Sequence, residues 1–449
     1  MSGLTRDQCA TFDVDLPKGR ITARPPGTNR RSASGLAPTG AARYGGRVSG
    51  PLEGIRVVEI GAWVAGPAAG GILADWGADV IKVEPPEGDP ARNFGRMLGG
   101  DLPVNPVFEL DNRGKRAIAL DLSDERGVDL ARRLVAGADV FLTNLRPAAL
   151  GRVGLGPDET IERHPGLVYA IITGYGLEGP EAERGAYDIA AFWARAGIAE
   201  SLRAPGGPLP FQRGGMGDHT VAMTAAAMVS AALVERSRTG RGQLVSTSLL
   251  RQGVYTIGFD VNVALMWGRS LGIGTRETMY SPVLNNYTAG DGRSFWIVGL
   301  EGDRHWPALA RAVGRPEWIG DPRFVDGMSR AVHAGELVAL LDEIFATRPL
   351  EEWAGIFADE PDLFWSPVNS VDEVLADEQF HASHSVVEVP DEEGSLPMLA
   401  TPVDFGGHPP SPRFRAPRVG EHTREVLGEL GLEETVVASL VADGVAVVH

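Results

Sequence analysis

The sequence of 449 residues holds one cysteine, Cys9. That excludes an intramolecular disulfide and any multi-cysteine metal centre, and it suits a reducing compartment. Positive charge is also short, with 42 Lys and Arg against 59 Asp and Glu for a net charge of −17. Such a chain has no net basic face, so neither nucleic acid nor an anionic membrane is expected as its partner. No apolar run is read as long enough to span a bilayer and none of the signal-peptide kind opens the chain, which points to the cytoplasm.

Several catalytic motifs are missing as well. Without a G-x-x-x-x-G-K-[ST] loop, a P-loop kinase or ATPase is excluded. Gly61, Gly66, Gly70 and Gly71 cluster at the first strand–helix junction but miss the G-x-G-x-x-G spacing. The next strand runs into Glu84-Pro85-Pro86, which offers no acid in the context a ribose needs, so a nicotinamide dehydrogenase is not expected. No serine stands on a glycine-flanked strand–turn–helix elbow. His381 and His384 lie three apart with no Glu-His partner motif nearby, and they are read as part of a solvated loop, with no metal site.

What is present is an ordinary apolar content, 43%, and a length sufficient for two domains or one large interrupted one. Residues 1–50 are rich in Arg, Gly, Pro, Ser and Thr and show no period of 2 or 3.6. They are read as an extension that is disordered or draped over a partner. From Gly54 onward strands and helices alternate. "IRVVEIG", "ADVIKVEPP", "RAIALDL", "ADVFLTNL" and "GLVYAIITGYG" are strands. The helix in "PAAGGILADWG" is closed by Gly77, and Ser123 is expected to cap the helix in "DERGVDLARRLVAG". This pattern predicts an α/β fold, doubly wound around a mostly parallel sheet, with ligands beyond the carboxyl ends of the strands.

The expected organisation is a large α/β domain over 51–250, a turn-poor linker over 251–275, a smaller α/β domain over 276–385 and a C-terminal return to the large domain over 386–449. Two short amphipathic helices, in "GEHTREVLGELGL" and "EETVVASLVADG", need a surface to cover.

Two features suggest chemistry. Arg92, Arg113, Lys115, Arg116, Arg146 and Arg152 all fall in loops beside the strands, where they suit either a polyphosphorylated ligand or surface ion pairs. "RGGMGDHTVAM" places Asp218 on a Gly-Met-Gly turn ahead of an apolar helix. There the carboxylate is either an N-cap or a functional group.

Nine stretches decide between these readings: "PLEGIRVVEIGAWVAGPAAGGILADWGADVIKVEPPEGDPAR", "NRGKRAIALDL", "FLTNLRPAALGRVGLG", "GLVYAIITGYGLEGP", "YDIAAFWARAG", "MGDHT", "RTGRGQLVSTSLL", "WSPVNSVDEVLADEQF" and "GEHTREVLGELGL". Running in order from about 51 to 432, they resemble the family III CoA-transferases, whose members include formyl-CoA transferase, carnitine CoA-transferases and α-methylacyl-CoA racemases. The resemblance implies an interlocked, ring-like homodimer, with coenzyme A and acyl-CoA as substrates and no tightly bound cofactor. It implies that Asp218 is a covalent nucleophile, already ionised near pH 7, passing CoA from an acyl-CoA to a small carboxylic acid, with backbone N–H groups of the glycine-rich turns as oxyanion donors. It further implies CoA contacts at Val64, Ala65, Leu120, Asn144, Leu145, Arg146 and Arg152, and places Tyr187 and Asp188 at the thioester end of the pocket.

The chain departs from formyl-CoA transferase at Pro85, at Gly185 and in lacking a run of four glycines, a region held here by "LGIGTRETMYSP". Formate and oxalate are therefore not the expected acids. A larger 2-hydroxy, aryl or branched acid is, with Phe192 and Trp193 as apolar wall. Two rival readings are a 2-methylacyl-CoA racemase, whose His position is Tyr187 here, and a non-catalytic CoA-binding homologue.

Overall fold

The computed structural model describes residues 50–94, 104–272, 274–278, 281–391 and 394–449. Cys9 and the N-terminal extension lie outside the described residues. The strands read from sequence are present as β1 (Arg56–Ile60), β2 (Asp79–Glu84), β3 (Arg116–Leu120), β4 (Val140–Thr143) and β5 (Val168–Thr173). They are joined by β6 (Leu244–Ser248) in a sheet ordered β3-β2-β1-β4-β5-β6, parallel throughout. Val57 of β1 pairs with Val80 on one side and Val140 on the other. The chain therefore starts in the middle of the sheet and builds outward in both directions. Its order reverses between β1 and β4, and in open α/β sheets that reversal opens a crevice at the carboxyl ends of the strands.

Because side chains alternate along a strand, β1 serves two cores at once. Val57 joins the cluster under the helices Ala65–Asp75 and Met216–Thr239. Val58 joins the opposite cluster, under the helices Glu125–Ala136, Thr423–Glu429 and Glu434–Ala442. The last two are the amphipathic helices of the C-terminus, which bury Val426, Leu427, Val437 and Leu440. The chain then adds an element that the sequence did not announce. A short seventh strand of this sheet, Ala446–Val447, runs antiparallel along β3, with Ala446 opposite Leu120.

A separate antiparallel sheet of β7 (Leu284–Thr288), β8 (Ser294–Val298) and β9 (Trp365–Pro367) has its own aromatic cluster, including Tyr287, Phe295, Phe345, Trp353 and Phe357. The stretch expected as a linker carries two helices, Leu249–Thr256 and Gly258–Trp267, and no residue of the second is buried.

Two local expectations are corrected. Ser123 does not cap its helix: its hydroxyl donates to Asp121, and Asp124 is the cap, its carboxylate accepting from Arg126 N–H. The helix Met216–Thr239 is, by length and composition, apolar enough to cross a membrane, contrary to the reading that no such stretch exists. In this fold its Val221, Ala222, Ala225, Ala226 and Val229 are buried in the core that β5 also lines.

Candidate active site

The crevice between β1 and β4 is bridged by Asn144, next to the Thr143 hydroxyl that donates to the Ile60 carbonyl at 2.7 Å. Asn144, just past β4, accepts from Ala62 N–H at 3.0 Å and donates from Nδ2 to the Ala62 carbonyl at 2.8 Å. It thereby ties the two diverging loops together. Next along the first loop, Trp63 has φ +67°, a left-handed conformation that costs a non-glycine residue about 1–2 kcal/mol. Its N–H donates to Asp89 Oδ1 at 3.0 Å. Trp63, Val64, Ala65, Asn144, Leu145, Tyr187, Asp188 and Asp218 all line a cavity of about 130 Å3. Seven of the ten residues proposed from sequence are thus brought together, from four separate segments of the chain.

The turn that carries Asp218 is shaped by its glycines. Gly215 has φ +73° and occupies the N-cap position of the helix Met216–Thr239, a conformation open to glycine without strain. At Gly217 a Cβ would lie 2.3 Å from both Asp188 Oδ1 and Phe192 Cγ, so only glycine lets these groups approach. Asp188 Oδ2 accepts from Gly217 N–H at 3.0 Å, and Gln212 Nε2 donates to Asp188 Oδ1 at 2.6 Å. The capping task considered for Asp218 therefore belongs to Asp188, which reaches the helix end from outside. Asp218 is the third residue of the helix, and its carboxylate faces the cavity. The same bond occupies the Gly217 N–H, which is consequently not a spare oxyanion donor. Immediately after Asp188 the chain runs as a π-helix, Ile189–Arg195, a rare form that is frequent at functional sites.

Burial, reinforced by the nearby Asp188 carboxylate, pushes the Asp218 carboxyl up to about 7. It is not simply ionised at neutral pH, as the sequence reading assumed; about half of it is protonated there. His219, the next residue, is held by Asp111, with Nε2 to Oδ1 at 3.0 Å. That hydrogen bond raises the imidazole above its ordinary value. Asp111 and His219 line a second, larger cavity of about 900 Å3, together with Met223, Gln252 and residues 399–404, which follow on from the strand Gly394–Leu399.

The suspected cation cluster largely dissolves into internal pairs. Arg92 binds Glu84, Arg113 binds Asp75, and Arg116 binds Asp79, Glu425 and Glu429. Lys115 is fully buried against Glu59. Arg146 and Arg152 are exposed and have no ion-pair partner among the described residues.

Leu120 does not line the cavity. It is fully buried in the core, at the end of β3 that Ala446 covers. Phe192 and Trp193, expected as pocket wall, are also buried in the core. Phe192 packs beneath Gly217, and Trp193 donates to the Pro210 carbonyl at 3.2 Å. The cavity's aromatic wall comes instead from Trp63 and Tyr187, whose rings meet edge-on at 5.8 Å, with Leu145, Ile172 and Leu249 as aliphatic wall. His381 and His384 do not face one another across a site: Nε2 of the first meets the Leu375 carbonyl and Nδ1 of the second meets Asp404. The sequence reading missed Trp63, Gln212 and the Asp111–His219 pair. Only His219, adjoining Asp218, carried any signal in the chain itself.

Comparison with known proteins follows this geometry. A family model described as CoA-transferase family III matches residues 52–423. The (R)-2-hydroxy-4-methylpentanoate CoA-transferase of Clostridioides difficile is 32% identical over 386 residues, covering 85% of this chain and 96% of its own. The cinnamoyl-CoA:phenyllactate CoA-transferase of Clostridium sporogenes is 32% identical over 399 residues, covering 87% and 96%. Among solved structures, a CaiB/BaiF family protein from Brucella suis aligns with a TM-score of 0.74 at 32% identity, covering 85% of this chain and 100% of that one.

Proposed function

The chain belongs to CoA-transferase family III, and from that membership we propose that it moves CoA from an acyl-CoA donor to a carboxylic acid through covalent chemistry on Asp218. The observation that carries this reading is the placement of the Asp218 carboxylate in the switch-point crevice, in one cavity with Val64, Ala65, Asn144, Leu145, Tyr187 and Asp188.

The ionised Asp218 carboxylate attacks the donor thioester carbonyl, giving a mixed anhydride and CoA thiolate. The thiolate then attacks the aspartyl carbonyl, releasing the donor acid and leaving an aspartyl-CoA thioester. The incoming carboxylate attacks that thioester to form a second mixed anhydride and thiolate again. Attack of the thiolate on the acceptor's acyl carbonyl yields the new acyl-CoA and frees Asp218. No net proton is transferred, and overall one thioester is exchanged for another, with the anhydrides as the high-energy intermediates between them. A carboxylate whose pKa lies near 7 is more basic than an ordinary aspartate, and hence a stronger nucleophile once ionised.

CoA would enter along the loops after β1 and β4, past Val64, Ala65, Asn144 and Leu145. Arg146 and Arg152, uncommitted to internal pairs among the described residues, would meet its phosphates. The acid is a 2-hydroxy, aryl or branched acid. Two relatives of similar length are named for (R)-2-hydroxy-4-methylpentanoate and phenyllactate, and the cavity wall here is aromatic.

The working form is a homodimer. The helix Gly258–Trp267 is unburied yet carries Phe259 and Leu265 at 77% and 78% exposure, with Met266 and Trp267 exposed beside them, and such an apolar surface calls for a cover. Incubating the purified protein with a panel of acyl-CoAs and acids and recording new acyl-CoAs by mass spectrometry tests the function. Products from branched or aryl 2-hydroxy acids are expected, and the absence of any acyl exchange would remove the reading.

A further inference from the structure

Within the cavity, Trp63 is the residue whose backbone is hardest to account for by local sequence. Its φ of +67° is unfavourable for any residue with a branched or bulky side chain. It is anchored from the core. Its N–H is held by Asp89 Oδ1 at 3.0 Å, while Asp89 Oδ2 accepts from Lys82 Nζ at 2.8 Å. Lys82 also reaches Glu59 at 2.9 Å, and Glu59 in turn binds Lys115 at 2.7 Å. All four of these side chains are buried. A line of alternating charges across the ends of β1 and β2 thus fixes the Trp63 backbone independently of any substrate.

The indole above this backbone is held by contacts of its own. The ring lies against Phe94 with centroids 5.6 Å apart and meets Tyr187 edge-on at 5.8 Å and 86°. Trp63 and Tyr187 both border the cavity that contains Asp218. That cavity measures about 130 Å3, and an apolar cavity of about 150 Å3 takes one benzene ring. On the Trp63 side, the wall is held by its two ring contacts, above a backbone fixed through Asp89.

The geometry points to Trp63 as the residue that sets the upper size of the acyl group transferred at Asp218, admitting one ring-sized or short branched side chain and excluding long straight chains. This rests on the transfer reading given above. The aromatic faces also favour an aryl group over an alkyl chain of equal area, through edge-to-face contact.

The test uses Trp63→Gly, because glycine accepts positive φ freely and keeps the N–H that Asp89 holds. The indole is lost while its anchor stays. Trp63→Phe is the conservative companion. With 4-methylpentanoyl-CoA as donor, kcat/KM is measured for phenyllactate and for decanoate as acceptors in the wild type and both variants. The wild type should favour phenyllactate. Trp63→Gly should move the ratio at least tenfold toward decanoate, and Trp63→Phe should restore most of the wild-type ratio. An unchanged ratio in Trp63→Gly, or an equal loss toward both acids in both variants, would overturn the assignment of Trp63 while leaving the transfer reading in place. No product from any acid with the wild type would overturn both.

Discussion

The most informative perturbation of the site is Asp188→Asn, because Asp188 does two separable things. It anchors the helix start by accepting from Gly217 N–H at 3.0 Å, and it places a second negative charge near Asp218. Asparagine keeps an oxygen for Gly217 N–H and drops the charge, while its amide nitrogen faces Gln212, whose own amide flips to accept in place of the present donation to Asp188 Oδ1. Burial is the main cause of the raised Asp218 carboxyl and the Asp188 charge the next, together bringing it to about 7. Proposed transfer needs the ionised form, so kcat/KM for the acyl-CoA should fall below pH 7 with unit slope. At pH 6 about one tenth of the pH-independent value should remain.

In Asp188→Asn the midpoint should drop by about one unit, the size of one like-charge neighbour, but not reach the range of an exposed aspartate, since burial persists. Activity at pH 6 relative to the plateau then rises from about one tenth to about one half. The assay is acyl-CoA product formation, separated chromatographically, from pH 5 to 9. A flat profile through pH 7, or one that Asp188→Asn leaves in place, would refute the electrostatic account of Asp218.

Other outcomes follow from the same geometry. Asp218→Asn should abolish transfer while retaining CoA binding, measured by calorimetry. It should also stabilise the fold: a carboxyl raised from 3.8 to about 7 lends stability below pH 4 that is lost as pH rises through 7. At pH 8 the amide removes a cost of up to about 4 kcal/mol, or a few degrees of thermal midpoint. Lys82→Met leaves Glu59 and Asp89 buried without their shared cation and should destabilise by about 3–5 kcal/mol in denaturant unfolding. Sedimentation should show a dimer, and a stable monomer of the 47.7 kDa chain at micromolar concentration would contradict it. A 2-methylacyl-CoA in deuterated buffer should take up no deuterium at the α-carbon, because Tyr187 stands where a racemase needs a base.

The parts of this protein legible in its sequence are those fixed by short-range pattern. β1 to β5 announced themselves as apolar runs, with β1, β2 and β5 closed by Gly or Pro, and the helix around Ala65–Asp75 ended where Gly77 said it would. Asp218, Asn144 and Tyr187 were legible only through resemblance, and the cavity does join them. What the sequence concealed depends on contacts between distant segments. Asp188 reaches across 29 residues to cap the helix of Asp218, so the local case for Asp218 as the cap was misleading. Arg113 and Lys115 looked like ligands for phosphate because their partners, Asp75 and Glu59, lie 38 and 56 residues away. Phe192 and Trp193 looked like pocket wall because hydrophobicity does not say which face is inward on a π-helix, whose period differs from 3.6. The left-handed backbone of Trp63 left no trace at all, since it is imposed by Asp89 rather than by a glycine or an asparagine.

The central claim is that Asp218 becomes covalently acylated during turnover. It is tested most directly by mixing the protein with an acyl-CoA, quenching with hydroxylamine and mapping the modified peptides by mass spectrometry. The account predicts a hydroxamate on Asp218 that requires the acyl-CoA and is missing in Asp218→Asn. A hydroxamate on another carboxylate, or CoA exchange that persists in Asp218→Asn without any trapped species, would contradict it.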